Sequence, residues 1–299
     1  MSIYLLAKEN SDSLKNQHLK HIVELNIAMV FISTSGVLGR YISMPPPITI
    51  WWRCLFAVFI LGLFCWYKKI DLKIIYAKDY KTIALSGFFL GAHWITYFYA
   101  LKLSNVAIGM LSLFTYPVIT ALLEPVFLKT KLNMKHVFLG VLVLIGIYFL
   151  TPEFNLENNY TKGVFFGLIS SLFYAIRNIL LKKKIAQYHG SMLMFYQLII
   201  ITLILWPVFF VFEGKPTSND WSALIILALV TTAIGHTLFV MSFKHFSIST
   251  ASIMSSIQPI YGIIFALLLL NEIPAERTII GGALILTTVI IESFQSRKI

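Results

Sequence analysis

Ten blocks of roughly 17–23 mostly apolar residues follow one another along this 299-residue chain, the length that crosses about 30 Å of hydrocarbon. They lie at residues 22–41, 48–67, 82–101, 106–128, 134–150, 163–181, 192–212, 221–243, 249–270 and 277–294. In hydrocarbon every backbone N–H and C=O needs a partner within the protein, which leaves only helices and closed barrels. The blocks are continuously apolar, whereas barrel strands alternate over about ten residues. The chain therefore reads as an all-α membrane protein of ten transmembrane helices.

Charge location decides what a net charge of +11 means. Charged residues make up 12% of the chain and apolar ones 58%, against about 25% and 45–50% in soluble domains. Nearly all the charge sits in short connections, with no basic face interleaved with stacking aromatics, so nucleic acid is not an expected partner. Cys54 and Cys65 share one apolar block and give no disulfide framework. The first twenty residues are mixed and polar, so the first block is read as an anchor and not as a cleaved signal. With the N-terminus inside, 17 Lys and Arg residues fall in cytoplasmic segments and four (Lys102, Lys162, Lys215, Arg277) outside. Both termini are expected in the cytoplasm of an integral multi-pass protein of a bacterial cytoplasmic membrane.

The chain also repeats itself. A shift of 142 residues superposes Lys102 on Lys244, Pro117 on Pro259 and Gly140 on Gly282. A shift of 137 brings Ser33 onto Ser170 and Arg40 onto Arg177, and 144 brings Trp51–Arg53 onto Phe195–Gln197. Two halves are expected, residues 1–150 and 151–299, with five blocks each. An odd number sends the second half into the membrane upside down. Inverted repeats place a binding site near the midplane, between the halves.

Three stretches carry a family resemblance: WWRCLFAVF in the second block, YPVITALLEPVFLKTKL through the fourth, and SISTASIMSSIQPIYGIIFALLLLNEIPAERTIIGGALIL through the ninth and tenth. The chain resembles the drug/metabolite transporter superfamily, EamA type, over nearly its whole length. The last stretch resembles the family pattern of a proline, a glutamate ending the helix and a glycine in the next, here Pro259, Glu272 and Gly282. The first half departs from it, with Thr130 where the counterpart of Glu272 belongs. The resemblance implies a ten-helix inverted-repeat carrier with a central cavity, and leaves the substrate open.

Polar side chains deep in a membrane helix are costly and default to a functional reading. By count from the block ends, His93, Tyr116, Tyr174, His236 and Gln258 fall near the midplane and come from both halves; Tyr97 lies one turn from His93. These six are the candidate substrate-binding residues. Each histidine is either a neutral imidazole bonded to a neighbouring helix or a cavity group that carries a coupled proton. Pro117 and Pro259 are candidate hinges, since each removes a backbone donor at that depth. Arg40, Arg53 and Arg177 lie toward block ends, where they either snorkel to the interface or, for the repeat mates Arg40 and Arg177, guard the two mouths. Glu124, the only acid well inside a block, is expected to pair with Arg177 or a lysine at the inner gate. Three arginines against one glutamate lean the substrate toward an amino acid, another zwitterion or an organic anion.

Other classes fit less well. Asp12, Asp71, Asp79 and Asp220 all lie outside the blocks, which excludes a paired-aspartate intramembrane protease. No His-Glu-x-x-His or Gly-x-Ser-x-Gly motif accompanies the deep histidines, so no enzyme, cofactor or metal is expected. A channel would carry a ring of like charges or a carbonyl filter, and neither is visible. A non-catalytic membrane scaffold is the remaining alternative. The expected activity is secondary transport of a small metabolite by alternating access.

Overall fold

The computed structural model describes residues 2–128, 134–150, 155, 157–182, 184–246, 251 and 254–296; side chains of 2–18, 124, 128, 136 and 292–296 are outside that set. Among the described residues every regular element is helical. The first half holds α1 (Ser2–Tyr41), α2 (Pro46–Tyr67), α3 (Ala77–Leu103), α4 (Val106–Leu113), α5 (Tyr116–Leu128) and α6 (Met134–Leu150). The second holds α7 (Asn159–Lys182), α8 (Gly190–Leu205), α9 (Ser218–Ile226), a π-helix (Leu227–His236), α10 (Thr237–Ser242), α11 (Gln258–Leu270) and α12 (Glu276–Ser296). Among the described residues six passages are long and apolar enough to cross a membrane: Leu19–Tyr41, Pro46–Tyr67, Val106–Phe127, Asn159–Lys182, Gly190–Phe210 and Ser218–Ser242. Large apolar side chains such as Phe59, Leu63, Trp66, Leu144, Leu203 and Leu268 stand exposed on the outside. A soluble surface does not carry so much of this; it is a lipid-facing surface, and the protein is an integral membrane protein.

Helix ends follow local chemistry. Asn105 caps α4 by accepting from the Ile108 N–H, and Thr217 forms a capping box with Asp220 at the start of α9. Pro46 and Pro47 open α2, where a missing N–H costs nothing.

Two antiparallel pairs, each taking one helix from either half, organise the interior. α3 packs along α7: Ser104 meets Gly163, Tyr99 stacks on Phe166, His93 bonds Ser170 and Phe89 meets Phe173. α1 packs in the same way along the α9–π–α10 passage. Ser43 bonds Asp220, Thr34 bonds Thr231, Ile32 touches Gly235 and His21 stacks on His245. A Cβ on Gly235 would stand 2.9 Å from Ile32, so glycine is what permits that approach. α1 and α3 run parallel, since Gly39 lies against Phe98 and Arg40 bonds the Lys102 carbonyl. The 27 residues of α3 rise about 40 Å, so Asp79 at its start and Lys102 at its end lie at opposite ends of the bundle.

Candidate functional site

Two helix interruptions meet in the interior. α4 stops at Leu113 and α5 restarts at Tyr116, with Pro117 in its first turn. In the second half a 3-10 turn, Ser255–Ile257, leads into α11, which starts at Gln258 with Pro259 next. A first helical turn tolerates proline because that N–H has no intrahelical acceptor. Both prolines therefore open a helix, where the sequence suggested kinks inside one. The Tyr116 hydroxyl is hydrogen-bonded to Ser255 Oγ, tying one interruption to the other.

Around these breaks lies one chamber. His93, Tyr97, Tyr116, Tyr174, His236 and Gln258, the six residues singled out by depth, all line it, together with Ile32, Ser35, Trp94, Met110, Leu113 and Phe114. The space open to the centre of a water molecule is about 20 Å³, room for one water and no metabolite. The chamber is closed in this conformation.

Packing holds its wall in place. The His93 ring stacks on Tyr174 at 4.4 Å between centroids, and Tyr174 meets Tyr116 edge-on at 4.8 Å. Such contacts contribute about 0.5–1.5 kcal/mol each beyond buried area. Ser170 Oγ donates to the His93 carbonyl at 2.9 Å and lies 2.7 Å from His93 Nδ1. The hydroxyl has one hydrogen and has spent it, so Nδ1–H is the donor in the second contact and Nε2 keeps a lone pair. His236 is buried with Nδ1 unpartnered, its ring edge-on to Trp94 at 5.2 Å.

The arginines depart from expectation. Arg53, read as an interface residue, is fully buried: Nε donates to Thr232 Oγ1 at 2.6 Å and the guanidinium lies over Trp94 at 3.9 Å. That desolvated cation–π contact is worth about 2 kcal/mol. Arg177 is not at a mouth either. α7 runs on to Lys182, which leaves Arg177 more than a turn inside, buried and donating to Gln197 Oε1 at 2.9 Å and Asn178 Oδ1 at 3.0 Å. Arg40 does reach the end of its helix, pairing with Glu272 at 3.0 Å while Glu272 accepts from the Val106 N–H at 2.8 Å. The side chain of Glu124 lies outside the described residues, as does Thr130.

Two buried aspartates clasp the ends of the bundle. Asp220, in the first turn of α9, accepts from the Ser43 N–H at 2.9 Å and the Ser43 hydroxyl at 2.8 Å. The Thr217 N–H and hydroxyl donate to the same carboxylate at 2.9 Å and 2.7 Å. Asp79, in the first turn of α3, accepts from Lys184 Nζ at 2.6 Å and the Tyr188 hydroxyl at 2.7 Å, bonds that lower its pKa. The sequence had set both aspartates aside as lying outside the apolar blocks. A signal was present: Asp79 and Asp220 are 141 residues apart, as are their partners Ser43 and Lys184, close to the offsets of the repeat.

Comparison with known proteins agrees with this architecture. The EamA-like transporter family model matches twice, over residues 21–151 and 161–294. An uncharacterized transporter of Archaeoglobus fulgidus is 32% identical over 197 residues, 66% of this chain and 70% of that protein. The pseudopaline exporter CntI of Pseudomonas aeruginosa is 24% identical over 66% of this chain and 69% of its own. The S-adenosylmethionine uptake transporter of Rickettsia conorii is 21% identical over 96% and 97%. A solved crystal structure, 14% identical, superposes with a TM-score of 0.69 over 93% of this chain and 98% of its own, a likeness of fold alone. The relatives point to transport of a small molecule and not to catalysis. With both halves matched, this chain belongs to the EamA-like transporter family.

Proposed function

We propose that the protein is a ten-helix carrier built of two inverted halves, residues 1–150 and 151–299, that moves a small zwitterionic or anionic metabolite by alternating access. One observation carries this reading: six polar side chains from both halves line a single closed chamber at two interrupted helices. Interrupted helices at a repeat interface are where carriers of inverted design hold their cargo. The mirrored pairs α3·α7 and α1·α9–π–α10, with an aspartate clasp at opposite ends, support the inverted relationship. In this reading, transport alternates by release of one clasp while the other holds, with the halves moving about the breaks before Pro117 and Pro259. His93, Tyr97, Tyr116, Tyr174, His236 and Gln258 contact the substrate.

Two relatives are named for movement of small molecules, one as an uptake transporter and one as an exporter, so the family names do not set a direction. An amino acid or related zwitterion suits the buried cation of Arg53 beside imidazoles and tyrosines. Reconstitution into liposomes loaded with a labelled metabolite extract tests the reading. Saturable counterflow of a discrete compound is expected, measured with and without a pH gradient to see whether a proton accompanies it. Ohmic conductance would instead favour a channel, and no flux of any compound a scaffold.

A further inference from the structure

We propose that Arg53 and His236 together form a carboxylate site on the π-helical wall of the chamber. The inference deepens the carrier reading and rests on it.

The π-helix Leu227–His236 is the least ordinary element of the fold. Windings of this kind are rare and gather at functional sites. Here the winding lets the Thr232 hydroxyl donate five residues back to the Leu227 carbonyl at 2.8 Å, so its lone pair can receive Arg53 Nε. One turn on, the same element presents His236 to the chamber. Trp94, a lining residue, packs against both the guanidinium and the imidazole, so Arg53, which does not itself line the chamber, stands directly behind the wall to which His236 belongs.

Hydrogen-bond capacity there is incomplete. Arg53 has five N–H groups. Its one short bond uses Nε, its contact from Nη1 to Ser35 Oγ is long at 3.5 Å, and Nη2 has no partner. The edge left over, Nη1 with Nη2, is one of the two that grip a carboxylate with parallel bonds. Ser35, at that edge, lines the chamber. His236 Nδ1 is a second unpartnered buried nitrogen next to it. Among the described residues no acid forms an ion pair with Arg53 or Arg177. A buried cation with an unused fork is an unfavourable arrangement for an empty carrier, and a carboxylate corrects it: one oxygen on Arg53, the other shared with His236 Nδ1–H. Opening of the closed chamber brings the substrate to that fork. On the same lining His93 offers a lone pair on Nε2 beside Tyr97 and Tyr174, which suits the ammonium of a zwitterion.

Thermal shift of the purified wild type against the common amino acids, each beside its methyl ester, tests the site. At least one free acid is expected to stabilise the protein while its ester does so at least tenfold more weakly. R53Q should lose the preference for the acid. R53K, which keeps the charge but not the fork, should weaken it about tenfold and guards against a folding defect in R53Q; R177Q should keep it. H236Q should weaken the acid and leave the ester unchanged. Acids and esters acting alike on the wild type, or R53K and R53Q responding to acids as the wild type does, would overturn the proposal. So would a stability loss in R53Q that a second change, E124Q, restores, because Glu124 would then be the partner of Arg53. A wild type that answers no acid overturns the carboxylate site too, while counterflow of the metabolite extract still judges the carrier reading separately.

Discussion

The two ends of the bundle are built on one plan and closed with different chemistry. Each has an aspartate in the first turn of a helix, Asp220 in α9 and Asp79 in α3, receiving donors that follow a helix of the other half. At the Asp220 end the donors are the neutral Ser43 N–H and hydroxyl, and a separate ion pair, Arg40–Glu272, stands nearby. At the Asp79 end the position matching Ser43 is Lys184, so hydrogen bond and ion pair fall on one carboxylate, with Tyr188 as a second donor. Arg177, which a shift of 137 residues lays over Arg40, has turned inward to Gln197. The two ends thus keep the acceptor and vary the donors. A carrier whose two closures must differ in strength can adjust them this way without altering the helices.

The largest effect should come from stripping the Asp220 end of both closures. Arg40 and Glu272 are 34% and 22% exposed, and such a pair contributes at most about 1 kcal/mol. The charged bonds of buried Asp220 contribute about 1.5–3 kcal/mol more. Together, R40A with D220N should shift the balance of closed and open states at this end about tenfold or more. A cysteine at Ser35 in the chamber reports it, because Cys54 and Cys65 are buried. Impermeant maleimide should label S35C fast from one side only. Unchanged labelling would mean that these contacts do not gate the chamber.

D79N is expected to open the opposite side, less strongly, since it alters one contact where the double variant alters two, and in both an asparagine oxygen still accepts. Labelling of S35C should rise several-fold from the face where the double variant has no effect. If both variants raise labelling from the same face, the two aspartates do not sit at opposite mouths and the inverted arrangement is wrong.

What the sequence disclosed follows from what hydrocarbon demands. Length and apolarity marked the chain as helical and membrane-embedded, and α6, over Met134–Leu150, falls on one of the apolar blocks, its neighbours on either side lying outside the described residues. Depth along each block was enough to find the chamber residues, because a polar group at mid-depth has few places to be except an interior cavity. Depth failed for Arg53 and Arg177. Distance from a block end does not say whether a long side chain turns outward or inward, and both turned inward to partners on other helices, Thr232 and Gln197. The clasps were missed for another reason. Asp79 and Asp220 look like ordinary first-turn acids, and only their pairing across the halves, which no local pattern records, makes them special.

Exchanging the donors sharpens the comparison. S43K gives the Asp220 end the cation that Lys184 supplies at the other, and K184S gives the Asp79 end the neutral hydroxyl. S43K should slow labelling from the Asp220 side about two- to fivefold, within the energy of one partly exposed ion pair, and K184S should speed it by a similar factor from the Asp79 side. The S43K effect should shrink in high salt, as a screened charge requires. Labelling unchanged by either swap would show that the hydroxyl and the ammonium are interchangeable here and that the difference between the ends has no energetic weight.

The smallest effect concerns pH. Asp79 titrates below the ordinary carboxylate range, because the bonds from Lys184 and Tyr188 favour its ionised form, against about 3.9 in an unfolded chain. A carboxylate with a depressed folded pKa contributes its full stabilisation above the unfolded value and loses it as pH falls toward the folded one. The Asp79 clasp is therefore fully charged from about pH 5 to 8 and cannot itself sense pH in that range. Raw melting temperatures do not isolate this, because other groups change charge as the solution acidifies. The difference between wild type and D79N removes their contribution. That difference should stay constant from about pH 5 to 8 and shrink below about pH 4. A difference that already changes near neutrality would mean that Asp79 is not held ionised by Lys184 and Tyr188, and the Asp79 clasp would have to be counted among the proton-sensing parts of the carrier.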